Sequence, residues 1–174
     1  MTVSVIIPTI SETEPKTVQS IPDECEIVVV REGNRAEARN MGAVRADGEV
    51  LVFCDDDIAF SPEWFESQLS ALERNEVRGL ADFGLGLILT RLMAIHTADF
   101  VAVGGFDPAL DHMEDTDFSM RAKRHGLEVT KIPRDAVKHD PHENDITTMK
   151  RLKSLVTMAE NHTTDLYPIL WKIP

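Results

Sequence analysis

The sequence predicts a single α/β domain: a mixed, mostly parallel sheet flanked by helices. Three observations carry this. Three short runs, Val3–Ile7, Glu26–Val30 and Val50–Phe53, are rich in β-branched residues and nearly continuous in apolar character, as strands buried on both faces are. A helical pattern separates the second run from the third. The length of 174 residues, 43% of them hydrophobic, suits one domain that buries roughly 70% of its unfolded surface and needs no disulfide or metal for a core.

The first run ends at Pro8. After the second, residues 35–46 place Ala36, Met41 and Val44 at helical spacing, with Asp47-Gly48 as a stop. Strand, helix, strand at this spacing is a βαβ unit with a right-handed crossover. Ser61-Pro62-Glu63 opens the next helix, with Ser61 as N-cap and Pro62 at the first helical position. That helix continues through Trp64, Phe65, Leu69 and Leu72 to about Asn75. Residues 80–103 read as one or two strands, the second near Ala98–Val103, broken by Gly104-Gly105. Residues 114–125 read as a helix closed by Gly126. A strand pair over 128–132 and 136–139 follows, then a helix over 145–160.

Eighteen Lys and Arg against thirty Asp and Glu give a net charge of −12, which excludes non-specific nucleic-acid binding. The charge is uneven: residues 1–120 hold 8 basic and 23 acidic groups, residues 121–153 hold 9 and 5. The second segment faces phosphates or an anionic lipid surface, or is a solvated helix face. Cys25 and Cys54 cannot make a disulfide framework and read as reduced thiols of a cytoplasmic protein. No secretory leader is expected, and no apolar run reaches the ~18 residues of a membrane span. The apolar tail, residues 166–174, either packs on the domain or precedes a membrane segment.

An open sheet of this kind binds ligands at the carboxyl ends of its strands. Those ends carry Pro8-Thr9, Arg31-Glu32-Gly33-Asn34 and Asp55-Asp56-Asp57. Three adjacent carboxylates repel one another unless a cation intervenes. Mg²⁺ or Mn²⁺ held by one or two of them, with substrate phosphates and water completing the shell, is one reading; a solvated acidic loop is the other. A dinucleotide fold would want G-x-G-x-x-G after the first strand, but only Gly84-Leu85-Gly86 occurs, mid-chain, and no G-x-x-x-x-G-K-[ST] loop exists. Asp55-Asp56-Asp57-Ile58-Ala59 also resembles the D-x-D-x-[TV] signature of aspartyl-phosphate hydrolases, which there follows the first strand rather than the third.

Four elements in order resemble the family 2 glycosyltransferases, nucleotide-sugar enzymes of the Rossmann-like GT-A fold. Residues 3–12 (VSVIIPTISE) are similar to the family's opening strand and P-T-x-N-E. Residues 26–34 (EIVVVREGN) sit where it has a strand ending in D-D-G-S. Residues 38–57 (ARNMGAVRADGEVLVFCDDD) are similar to A-R-N-x-G…A-x-G…D-x-D, and 103–126 to G-G-F-D-E…E-D-x-D-L…R…G. The resemblance covers about residues 3–142. It implies a nucleotide-binding part over about 1–60, an acceptor and catalytic part over about 61–142, and a C-terminal helix and tail over about 143–174.

The resemblance also implies roles. Asp57 ligates Mn²⁺ or Mg²⁺, and Asp55 contacts the ribose or the metal's water shell. Asp56 is the variable middle position, counted with the donor side, as are Pro8 and Thr9. Glu12 and Glu32 fall where the family holds the nucleoside, and Arg39 where it approaches the phosphates; Arg35 reads as a surface arginine. Asp115 matches the general base of inverting members, with Glu114 sharing its proton or holding an acceptor hydroxyl. Asp117 and Arg121, four apart, read as an ion pair. Gly104 and Gly105 let backbone approach the sugar. His139 sits where the family often has a third metal ligand and is equally read as a core histidine; His142 is the fallback. His96, His112, His125 and His162 read as structural or exposed.

Ser11, Arg31 and Glu32 depart from the family at base-contacting positions, leaving UDP against GDP open. The expected activity is transfer of a sugar from a nucleotide-diphosphate donor to a sugar, lipid-linked or other hydroxyl acceptor. Peripheral contact at the cytoplasmic membrane surface is compatible with Lys150, Arg151 and Lys153. The alternatives are a non-catalytic nucleotide-sugar-binding module and a Mg²⁺-dependent phosphohydrolase.

Overall fold

The structure, a computed structural model, describes residues 1–82, 87–110, 112–139 and 148–162. Strand β1 (Val3–Pro8) lies between β2 (Glu26–Val30) and β3 (Val50–Cys54), parallel to both. Helix α1 (Arg35–Arg45) makes the crossover from β2 to β3. A two-residue strand β4 (Ile58–Ala59) and helix α2 (Pro62–Ser70) lead to β5 (Glu76–Ala81) and β6 (Ile88–His96). Helix α3 (Thr97–Val103), helix α4 (Glu114–Arg124), β7 (Glu128–Ile132), β8 (Lys138–His139) and helix α5 (Thr148–Asn161) complete the described chain. The main sheet has the order β2-β1-β3-β6-β5-β7, and β6 alone runs antiparallel to its neighbours. This is the mixed, mostly parallel GT-A architecture, in one domain.

Strand alternation divides the core in two. On one face Ile6, Leu51, Phe53, Met93 and Ile95 pack under α1, α3 and α4. On the other Val5, Ile7, Val52, Leu92 and Ala94 pack against Phe65 and Leu69 of α2. Phe53 is the hub of the first face: its ring lies 5.1 Å from both Phe100 and Phe106, and Phe106 lies 4.8 Å from Phe118. Each such ring, fully buried, contributes about 1.5–3 kcal/mol. Helix α1 approaches β1 so closely that a Cβ at Gly42 would stand 2.3 Å from Ile6 Cγ2.

Several expectations need correction. Val44 is 87% exposed, and the buried side of α1 is Ala36, Ala38, Arg39 and Gly42, a small-residue face bearing one cation. Its start is fixed by a capping box in which Asn34 Oδ1 accepts from Glu37 N and Glu37 Oε2 accepts from Asn34 N. Residues 98–103 are helix rather than strand: Phe100 and Val103 are buried one turn apart, Val101 faces solvent, and Gly104, at φ 89°, caps the end. A short apolar run alone does not separate these outcomes. Helix α2 ends at Ser70 rather than Asn75. The segments at 128–132 and 136–139 do not pair with each other; β7 joins β5, and β8 joins β4. The start of the last expected helix, 145–147, lies outside the described residues, as do 84–86, His142 and the apolar tail.

Candidate active site

The carboxyl ends of β1 and β3 and the N-terminus of α4 meet at one edge of the sheet. After β3 the chain turns sharply, and Thr17 holds that turn: its Oγ1 donates to the carbonyl oxygens of Asp55 (2.7 Å) or Ile58 (2.9 Å) and accepts from Ile58 N. The three aspartates then diverge, each to its own partner, which relieves the repulsion their adjacency creates.

Asp56 accepts a hydrogen bond from Thr9 Oγ1, tying the ends of β1 and β3 together. Pro8 closes β1, and Thr9 N donates to Val30 O at 2.9 Å. Asp55 Oδ1 accepts from Arg39 Nη2 at 3.1 Å, and its Oδ2 lies 3.7 Å from Arg91 Nε. Asp57 Oδ2 lies 3.4 Å from His139 Nε2. The two-residue β4–β8 bridge makes this last approach: His139 pairs with Ile58, the neighbour of Asp57.

Arg39 organises the middle of the site. It is 2% exposed, with Nη1 donating to Glu114 Oε1 at 2.7 Å and its guanidinium carbon 5.7 Å from the Phe106 ring centre. Burial opposes its charge, but Glu114 and Asp55 favour it more, so its pKa stands above the usual arginine value. Both terminal nitrogens of Arg39 are engaged by carboxylates. Its cation offsets the acidic cluster from inside.

Asp115 stands in the first turn of α4 beside Glu114. Burial and then the charge of Glu114 push its pKa up to about 7, against the opposing pull of the Thr116 amide and Arg39. Its Oδ1 accepts from Thr116 N at 2.7 Å. A carboxyl balanced near neutrality is suited to taking a proton from a hydroxyl. Asp117 and Arg121 form the expected pair, at 2.6 Å. Asp117 also accepts from His162 Nε2 at 2.7 Å, so His162 is buried and docks the end of α5 on α4.

Gly104 and Gly105 both have positive φ, and a Cβ at Gly105 would meet Asn40 Oδ1 at 2.8 Å. Asn40 reaches from α1 to clamp this turn, donating to Phe106 O at 2.8 Å and accepting from Phe106 N at 2.9 Å. Glu12 is exposed on the loop after β1. Glu32 is exposed too, its Oε2 lying 3.6 Å from Arg45 Nη2, so neither glutamate joins the constellation. Arg31 straps the loop after β1, donating to Ser11 O at 3.0 Å and Thr13 O at 3.3 Å.

Thr17 and Asn40 are site-building residues the sequence reading passed over, as it did Arg91, which stands beside Asp55. Asn40 stood within the quoted A-R-N-x-G stretch, and Arg91 is a lone charge in the apolar run from Leu87 to Ile95. Thr17 carries no sequence signal.

Asp57 and His139, a carboxylate and an imidazole, are a donor set that suits Mn²⁺ and tolerates Mg²⁺. Among the described residues, no group of three or more His, Cys, Asp and Glu gathers in a metal-binding arrangement. A divalent ion here would therefore draw on phosphate and water for the rest of its shell, as hard cations at phosphate sites do.

Residues 6–83 match the family model described as Glycosyl transferase family 2. That match covers a little under half of the chain. The matched stretch holds Thr9, Arg39 and Asp55 to Asp57, and stops short of Gly104, Asp115 and His139. No curated protein sequence matches the chain. Among solved structures it is similar to a mannosyltransferase of Pyrobaculum calidifontis in complex with GDP-Man and Mn²⁺, with a TM-score of 0.69 and 14% identity over 97% of this chain and 67% of that one. It is similar to GalNAc-T7 with UDP, GalNAc and Mn²⁺ (TM-score 0.68, 17% identity, 91% and 47%). A third is glucosyl-3-phosphoglycerate synthase of Mycobacterium tuberculosis with Mg²⁺ and UDP (TM-score 0.62, 16% identity, 92% and 79%). At these identities the likeness is one of fold, and the chain spans less than half of GalNAc-T7.

Proposed function

We propose that this chain is a metal-dependent, inverting glycosyltransferase that moves a sugar from a UDP- or GDP-linked donor to a hydroxyl acceptor. The observation that carries the reading is the continuous link Asp115–Glu114–Arg39–Asp55, which sets a carboxyl with a pKa near 7 beside the aspartate cluster at the sheet's ligand-binding edge. The family match and the nucleotide-bound, metal-bound structures of the same fold support it.

In this reading Asp57 and His139 hold Mn²⁺ or Mg²⁺, which when bound supplies charge neutralisation to the leaving diphosphate. Asp115 takes the proton of the acceptor hydroxyl as its oxygen attacks the sugar's anomeric carbon from the face opposite the diphosphate, which inverts the configuration. Glu114 fixes Arg39, and Arg39 keeps Asp55 turned inward. Pro8, Thr9 and Asp56 shape the floor under the donor, while Gly104 and Gly105 present backbone to the sugar. Residues 1–60 serve the nucleotide, 61–142 the acceptor and chemistry.

Peripheral membrane contact belongs to the same proposal. Met149, Leu152 and Val156 are exposed on α5 beside Lys150, Arg151 and Lys153, the composition of a surface that meets anionic lipid. No described helix is long and apolar enough to cross a membrane.

The test is calorimetric titration with UDP-, GDP- and dTDP-sugars, with and without Mn²⁺, on wild type, Asp57→Ala and Asp115→Asn. The expected result is metal-dependent binding of one nucleotide class, lost in Asp57→Ala and kept in Asp115→Asn, which loses only transfer. Absence of binding to every donor would overturn the reading. Binding without transfer in wild type would leave a nucleotide-sugar-binding module.

A further inference from the structure

Arg91 brings a second guanidinium up to Asp55, held more loosely than that of Arg39. It sits near the start of β6, two residues before Met93 and four before Ile95, and so falls on the sheet face covered by α1, α3 and α4. The local strand is irregular. Gly79 of β5 pairs with Met93, but the next residue, Leu80, pairs with Leu89, leaving Thr90, Arg91 and Leu92 outside the β5 ladder. Bulges beside active sites re-aim side chains. Here the Arg91 carbonyl accepts from Asp55 N at 2.9 Å, fixing the residue against the aspartate cluster.

Its side chain is 27% exposed. Nε lies 3.7 Å from Asp55 Oδ2, beyond hydrogen-bond reach, and is buried without a hydrogen-bond partner. This contrasts with the buried guanidinium of Arg39, which two carboxylates engage. A part-exposed guanidinium whose Nε lacks a hydrogen-bond partner matches an oxyanion in geometry and charge.

The position selects which substrate. The aspartates follow β3, and the proposed metal pair, Asp57 and His139, lies on the β4–β8 bridge. Arg91 stands on β6, on the far side of β3 from β1 and β2, within the 61–142 part assigned to the acceptor. We propose that Arg91 recognises a phosphate or carboxylate group on the acceptor, so that the acceptor is an anionic hydroxyl compound rather than a neutral sugar. This rests on the glycosyltransferase reading and adds the acceptor's chemical class.

The test uses three minimal hydroxyl compounds: glycerol 3-phosphate, glycerate and glycerol. Each is titrated into the full chain loaded with Mn²⁺ and GDP or UDP, whichever binds, for wild type, Arg91→Gln and Arg91→Lys. Wild type should bind one or both anions and not glycerol, and the anion that binds identifies phosphate or carboxylate. Arg91→Gln should weaken that binding by about ten- to a hundredfold, with Arg91→Lys between, while nucleotide affinity stays unchanged. Unchanged nucleotide affinity also shows that the variant is folded. Equal anion binding by wild type and Arg91→Gln, no anion binding by wild type, or loss of nucleotide affinity in Arg91→Gln would each overturn the proposal. Failure of the underlying reading looks different: wild type would then bind no nucleotide with Mn²⁺ at all.

Discussion

Arg39 Nη1 lies 2.7 Å from Glu114 Oε1, and this contact joins two helices that are 75 residues apart in sequence. Both groups are almost wholly buried, so neither can turn to water if the other is lost. The pair fixes the N-terminal turn of α4, and with it Asp115, relative to the end of β3.

Arg39→Met should therefore destabilise the fold by about 3–5 kcal/mol, the usual result of stranding one member of a buried ion pair. Urea unfolding of the single variant and of Arg39→Met with Glu114→Gln checks this. The double variant should recover part of the loss, because no buried charge remains unpaired.

The pKa of Asp115, pushed up to about 7, gives two pH dependences. As a base it must be ionised, so transfer should rise with pH and level off above about 7. Stability should run the other way. The unfolded carboxyl titrates near 4, so between about 4 and 7 the folded state holds the extra proton and loses stability as pH rises. Asp115→Asn should accordingly have a higher Tm than wild type at pH 8 and a similar Tm at pH 4. A thermal series at both values decides it.

Gly42 faces Ile6 with no space for a side chain. Gly42→Val should push α1 off β1 and cost about 1–3 kcal/mol, read as a lower urea midpoint at unchanged slope.

On α5, replacing Lys150, Arg151 and Lys153 by glutamate should abolish sedimentation with phosphatidylserine-containing vesicles. Binding to purely zwitterionic vesicles should be weak in both proteins. Equal sedimentation of the two proteins with anionic vesicles would rule out an electrostatic membrane contact.

Strands β1, β2 and β3 were legible because each is a nearly continuous apolar run, and Ser61-Pro62 was legible because a cap is a local code; Ser61 Oγ does accept from Trp64 N at 3.1 Å. Residues 98–103 misled because six mixed apolar residues satisfy either period, and the choice fell to β6 having already used the strand positions. The site was readable at Asp55 to Asp57 and Glu114-Asp115, where unusual charge density stands out. Arg39 was legible as a site residue but not as a buried one, because its burial depends on Glu114 arriving from a distant segment. The same holds for His162: only the folded chain brings its ring to Asp117 and Arg124.

The β4–β8 bridge is only two residues on each side. Yet the residues it aligns, Asp57 and His139, bracket most of the second half of the described chain. An ion gripped by both acts as a clasp that only the folded chain can offer, since unfolding parts the two side chains and releases it. Manganese should therefore raise the melting temperature even without nucleotide, and His139→Ala, by opening the clasp, should erase most of that rise.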